Sequence, residues 1–192
     1  MGKSIKGTKT EQNLLKAFAG ESQARQRYTM FAEKARSEGY EQIAALFEET
    51  ALNEQYHARR FFSYLEGGPV EITATYPAGI VGTTLENLKE AAEGEYEEWA
   101  ELYPGFAEVA MEEGFPQVAA AFKVITEVEK NHEKRYRSLI ENVASNHVFK
   151  KDTPVKWKCR ICGYIHEGEE APKVCPSCLE KQREFEVYCK NY

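Results

Sequence analysis

No stretch of this 192-residue sequence stays apolar for the roughly 20 residues that a membrane-spanning helix needs. The opening segment, MGKSIKGTKTEQN, lacks the apolar centre of a secretory signal, so the expected location is the cytoplasm. There is no basic surplus either. Lys and Arg number 25 against 31 Asp and Glu, and the net charge of −6 argues against nucleic acid as a partner. Cysteine is absent until Cys159, and four of the five cysteines fall between Cys159 and Cys178. Clustered pairs in a cytosolic chain point to a metal site rather than to disulfides. Histidine is rarer still, with four in the chain. What remains is an ordinary globular composition, 42% hydrophobic and 29% charged, long enough for one domain with a real core and a small second one.

Four long stretches carry helical periodicity, and they predict helices over roughly 10–37, 40–65, 84–113 and 115–146. Thr10 is the expected cap of the first, and Thr83 or Thr84 that of the third. The joints at Gly39 and Gly114 are a residue or so long, which makes antiparallel neighbours, whereas VEITATYPAGIVGTT reads as a long crossover. One long crossover among four helices is the ferritin-like arrangement. The expected layout is therefore mainly α: a ferritin-like four-helix bundle over 1–149, a polar linker over 150–154, and a small metal-binding domain over 155–192.

The bundle is written twice. At a shift of 75, Tyr28 falls on Tyr103, Gly39 on Gly114, Phe47 on Phe122, Glu54 on Glu129, His57 on His132 and Arg60 on Arg135. Gly20–Glu21 matches Gly94–Glu95 at a shift of 74 instead. The second half thus holds one extra residue between its Glu and its Tyr. An extra residue inside a helix is absorbed as a π turn, which predicts an irregularity between Glu95 and Tyr103. Pro104–Gly105 should also bend this helix.

Residues three apart share a helix face, so Glu54 with His57, and Glu129 with His132, point the same way. Glu21 lies on a face of small and apolar residues, where a lone carboxylate is prohibitively costly unless paired or bound to a cation. One Glu from each of two helices and a Glu-x-x-His from each of the other two form the pattern of a di-metal carboxylate site, suited to iron or manganese. Glu98, three after Glu95, has Ala24 as its counterpart; it is either an additional ligand or a surface acid. Tyr28 and Tyr103 either hydrogen-bond the ligand carboxylates or are core aromatics. Glu97, Glu101, Glu127 and Glu133 are expected in solvent, and His147 and His166 are expected to be structural or exposed.

The run CRICGYIHEGEEAPKVCPSC gives Cys159, Cys162, Cys175 and Cys178 as a tetrahedral four-thiolate set for zinc or iron. The details C-G-Y and C-P-x-C look like rubredoxin knuckles, with Gly163 permitting the close turn. Cys189 stands apart as a free thiol.

Taken together, AFAGESQAR, NEQYHARR, EGEYEEW, KNHEKR and CRICGY…CPSC resemble rubrerythrin over nearly the whole chain. That resemblance implies a non-haem peroxidase in which a di-iron centre reduces hydrogen peroxide to water. An iron in the four-cysteine site would return electrons from an NAD(P)H-linked reductase or a rubredoxin. It carries the metal-ligand role to Glu21, Glu54, His57, Glu95, Glu98, Glu129 and His132 and to the four clustered cysteines. It further implies an exchange of Glu98 for His57 with oxidation state, and a homodimer or higher homo-oligomer. A ferroxidase or storage protein would share the bundle, an electron carrier the cysteine site, and a zinc-ribbon interaction module would have a vestigial bundle.

Overall fold

The structure is a computed structural model describing residues 3–191. Helix α1 (Lys9–Ser37) is capped two residues before the expected position. Thr8 is the cap: its hydroxyl accepts the Glu11 N–H, while the Glu11 carboxylate accepts the Gly7 N–H. Thr10 is turned inward instead, donating to Glu113 at 2.6 Å and so tying the start of α1 to a residue 103 positions along the chain. Helix α2 (Glu41–Phe62) stops three residues before the expected end. Gly39, at φ +85°, makes the α1–α2 turn that a side chain would strain.

The crossover leads to α3 (Thr84–Glu97). Thr83 and Glu86 form a reciprocal capping box there, worth about 1 kcal/mol. The expected irregularity follows at once. Glu98–Leu102 is a π turn, with the Tyr103 N–H reaching back to the Glu98 carbonyl. Helix α4 (Tyr103–Glu112) resumes with Pro104 in its first turn, where the missing N–H costs least. Helix α5 (Pro116–Ala144) completes the bundle.

The duplication shows in the core. Tyr28, Phe47 and Tyr136 pack together in one half, with centroids 5.3 to 6.1 Å apart. Their counterparts Tyr103, Phe122 and Phe61 pack at 4.7 to 5.6 Å in the other. All six rings are fully buried.

The C-terminal part is a three-stranded antiparallel sheet in the order β2-β1-β3: β1 (Lys150–Cys159), β2 (Ile165–Glu170) and β3 (Phe185–Val187). Lys150–Pro154, expected as a linker, is instead the first half of β1. Its pairing slips between Lys150 and Val155, where Pro154 has no N–H for the ladder. Trp157 and Phe185 form the core, and the Trp157 indole donates to the Gly168 carbonyl at 2.9 Å. The sheet rests on the bundle end where Tyr40 stacks on Phe149 and Lys151 reaches Asn142.

Candidate metal centre

Four helices deliver the acidic groups to one buried layer between the two aromatic clusters. Glu21, Glu54, Glu95 and Glu129 have 0 to 1% of their surface exposed, and their ion-pair partners among the described residues are His57 and His132. Two groups of ligand atoms form, each within 4.8 Å: Glu21, Glu54, His57 and Glu129, and then Glu54, Glu95, Glu129 and His132. Glu54 and Glu129 belong to both. Glu54 puts one oxygen 2.9 Å from His57 Nδ1 and the other 3.2 Å from His132 Nδ1. Glu129 does the same at 2.9 and 2.8 Å. Two carboxylates whose two oxygens face different imidazoles have the disposition of bridges between neighbouring cations.

The donor set fits metal ions. Glu21 Oε2, Glu54 Oε1, Glu95 Oε2, both Glu129 oxygens and His132 Nδ1 are buried without a hydrogen bond of acceptable alignment. Such groups are costly unless something else satisfies them, and oxygen donors with two imidazole nitrogens suit iron or manganese. The outer contacts orient them. Tyr28 donates to Glu95 at 2.6 Å and Tyr103 to Glu21 at 2.6 Å, each tyrosine serving the carboxylate of the other repeat. His132 Nε2 lies 3.2 Å from Asn53 Oδ1, which favours a proton on Nε2 and leaves Nδ1 for a cation. Asn53 was not foreseen; its signal was a polar residue where the other repeat has Val128.

Glu98 lies outside both groups. From the first residue of the π segment its Oε1 points past Gly20, 3.9 Å from where a Cβ there would lie, in the lining of a cleft. Glu133 is not the solvated acid expected: it accepts the Trp99 indole N–H at 2.9 Å and pairs with Arg137. Through that bond the π segment is fixed to the residue after His132. Glu97, Glu101 and Glu127 are exposed.

Burial and mutual repulsion set the protonation of the metal-free layer. Burial first, then Glu129, Glu98 and Glu54, raises Glu21 well above the carboxylate range. Burial raises Glu98 likewise, and with Glu54 lifts Glu95 to about 8. Burial opposes charge on the imidazoles, but Glu129 and Glu54 outweigh it and raise His57 to about 10 and His132 to about 12. Protons thus do in the metal-free protein what cations do in the loaded one. A histidine raised above its unfolded 6.5 contributes stability in full below that pH and loses it as pH climbs toward the folded value. Glu95, raised from 4.5, acts in the same direction over its own range. The thermal midpoint of chelator-stripped protein should therefore fall between pH 6.5 and 10, while metal-loaded protein stays nearly level; parallel profiles would contradict this.

The four cysteines converge as expected. Cys159 and Cys178 sulfurs are 3.7 Å apart, as are those of Cys162 and Cys175. A tetrahedron with bonds of about 2.3 Å has edges of about 3.8 Å, whereas a disulfide would need about 2.05 Å. Gly163 at φ +79° and Leu179 at φ +65° close the two knuckles. The Tyr164 N–H helps hold Cys162 down at about 6. The Glu180 N–H favours the Cys178 thiolate, but burial and the neighbouring sulfurs push it up to about 12. Four thiolates at this spacing need a cation among them. Cys189 is exposed and apart.

Comparison with known proteins agrees with this division. The family described as Rubrerythrin matches residues 12–140, and the one described as Rubrerythrin, rubredoxin-like domain matches residues 157–186. A rubrerythrin of Porphyromonas gingivalis is 57% identical, over 100% of this chain and 96% of that one. A rubrerythrin of Nitratidesulfovibrio vulgaris is 47% identical over 99% and 100%. The solved structure of fully reduced, all-ferrous nigerythrin superposes with a TM-score of 0.63 at 34% identity, covering 96% of this chain and 92% of that one. Both parts are matched, in the same order along the chain, and it belongs to the rubrerythrin family, whose members hold a non-haem di-iron centre in the bundle and one iron in the four-cysteine domain.

Proposed function

We propose that this di-iron oxidoreductase is a peroxidase that reduces hydrogen peroxide to two waters, protecting a cytoplasm from oxidative stress. The observation that carries the reading is the double membership of Glu54 and Glu129 in both ligand groups. It implies two cations side by side, and peroxide needs two electrons and two protons to become water. Glu21, Glu54, His57 and Glu129 would hold one iron, and Glu54, Glu95, Glu129 and His132 the other. When bound, the two ferrous ions supply both electrons and polarise the oxygens.

The chain's own residues supply the rest. Tyr28 and Tyr103 fix Glu95 and Glu21 through short hydrogen bonds. The flanking aromatic clusters keep water from the far sides of the layer. Glu98 and Tyr103 line the cleft through which peroxide would enter. There Glu98 can carry a proton inward and, in the oxidised protein, take the place of His57 as a ligand. Cys159, Cys162, Cys175 and Cys178 would hold the iron that returns electrons from an NAD(P)H-linked reductase or rubredoxin, in a homodimer or higher homo-oligomer.

Glu98→Ala should lower kcat/KM for hydrogen peroxide by about tenfold or more while the bundle keeps two irons. Unchanged peroxide kinetics would remove Glu98 from the mechanism.

A further inference from the structure

The cleft beside Glu98 is far larger than hydrogen peroxide requires. It measures about 260 Å³, against about 10–15 Å³ for one water molecule on the same scale. Its floor is Ala17 and Gly20, and Leu102 and Phe106 form one wall. The crossover, residues 73–77, roofs it. That roof is held by the Tyr76 hydroxyl, which donates to the Lys16 carbonyl at 2.7 Å. Gly20 keeps the floor low: a Cβ there would sit 3.6 Å from the Tyr76 ring and 3.9 Å from the Glu98 carboxylate. The space thus runs continuously from the crossover to the inner wall formed by Glu98 and Tyr103.

The lining also selects charge. It holds two cations, Lys16 and Arg27, and two acids, Glu97 and Glu98, so the formal charges cancel, and Arg27 is paired with Glu90 at 2.8 Å. Alanine, glycine, leucine and aromatic surfaces make up most of the rest of this lining and suit an uncharged organic group.

We infer that the cleft is a subsite for the organic part of a neutral alkyl or aralkyl hydroperoxide, with the –OOH group placed at the Glu98–Tyr103 end. This rests on the peroxidase reading and widens its substrate class. The reaction balances as ROOH plus two electrons and two protons giving ROH and water. The O–O bond breaks, the two electrons come from the reduced di-iron site, and the protons come from solvent by way of the cleft. The alcohol leaves through the same opening.

Ala74 is an exposed residue of the roof. In Ala74→Trp the indole should fill the outer cleft without entering the core or the metal layer. Wild-type protein should reduce cumene hydroperoxide with kcat/KM within about tenfold of hydrogen peroxide. Ala74→Trp should lose about tenfold or more on cumene hydroperoxide and less than twofold on hydrogen peroxide. A second readout needs no metal: 2-phenyl-2-propanol, the product alcohol, should bind chelator-stripped wild-type protein in calorimetry and fail to bind stripped Ala74→Trp. Hydrogen peroxide activity without cumene hydroperoxide activity, equal losses on both, or alcohol binding that ignores Ala74→Trp would overturn the subsite. Absence of hydrogen peroxide activity in iron-loaded wild-type protein would instead overturn the peroxidase reading, leaving the alcohol-binding result to decide the subsite.

Discussion

Glu129→Ala should reduce the bundle from two irons to fewer than one and cut peroxide turnover by well over 100-fold. Glu129 faces both imidazoles, at 2.9 Å from His57 and 2.8 Å from His132, so its loss opens both metal positions at once. Loss of an outer partner of a metal ligand already costs about 10–100-fold, and a shared ligand should cost more. The metal-free protein should suffer too. Its His57 and His132 charges are balanced in large part by Glu129, whose carboxyl those two imidazoles hold down at about 2 against the effect of burial. Removing one side of a buried pair costs about 3–5 kcal/mol. Glu127→Ala, on an exposed face of the same helix, should change stability by less than about 0.5 kcal/mol. Iron content and thermal midpoints of the two variants check this. Equal behaviour would contradict the bridging role.

Cys175→Ala should separate electron supply from peroxide chemistry. Cys175 is fully buried among Trp157, Phe185 and Ala171. A unit of fewer than about 40 residues cannot bury enough apolar surface to stand alone, and a structural four-ligand metal supplies about 10–16 kcal/mol of apparent folding energy. The variant should lose its thiolate-to-iron visible absorption and the amide protection of β1–β3. Turnover driven by NAD(P)H through a reductase should fall at least about 100-fold. Chemically reduced bundle iron should still be oxidised by one equivalent of peroxide at near the wild-type rate. Loss of that single turnover would mean that the four-cysteine domain shapes the peroxide site itself.

The sequence carried much of this because its two halves check one another. The slip from a shift of 75 to one of 74 marked the π turn at Glu98–Leu102, since a helix must absorb an extra residue somewhere. Glu-x-x-His in both repeats placed four ligands on facing helices. Periodicity could not show which carboxylate each tyrosine serves. Tyr28 lies near Glu21 along α1 but reaches across to Glu95, because inter-helix distance decides the partner. The position of Glu98 was illegible for a related reason. Glu98 continues the regular turn from Glu95, so spacing gives its helix face but not how far along the neighbouring helix its long side chain extends, and that decides whether it joins a ligand group. Thr8 prevailed over Thr10 as the cap because Thr10 is spent on Glu113, more than 100 residues away. Polar composition marked Lys150–Pro154 as a linker, but an edge of a small sheet can be polar and still pair, as Lys150 does with Glu170.

The most direct test is anomalous diffraction at the iron edge from crystals loaded with ferrous iron under anaerobic conditions. Two peaks should stand between Glu54 and Glu129, one toward His57 and one toward His132, with a third at the centre of the four cysteines. A map with no peak between those two carboxylates, and the imidazoles still hydrogen-bonded to them, would contradict the account.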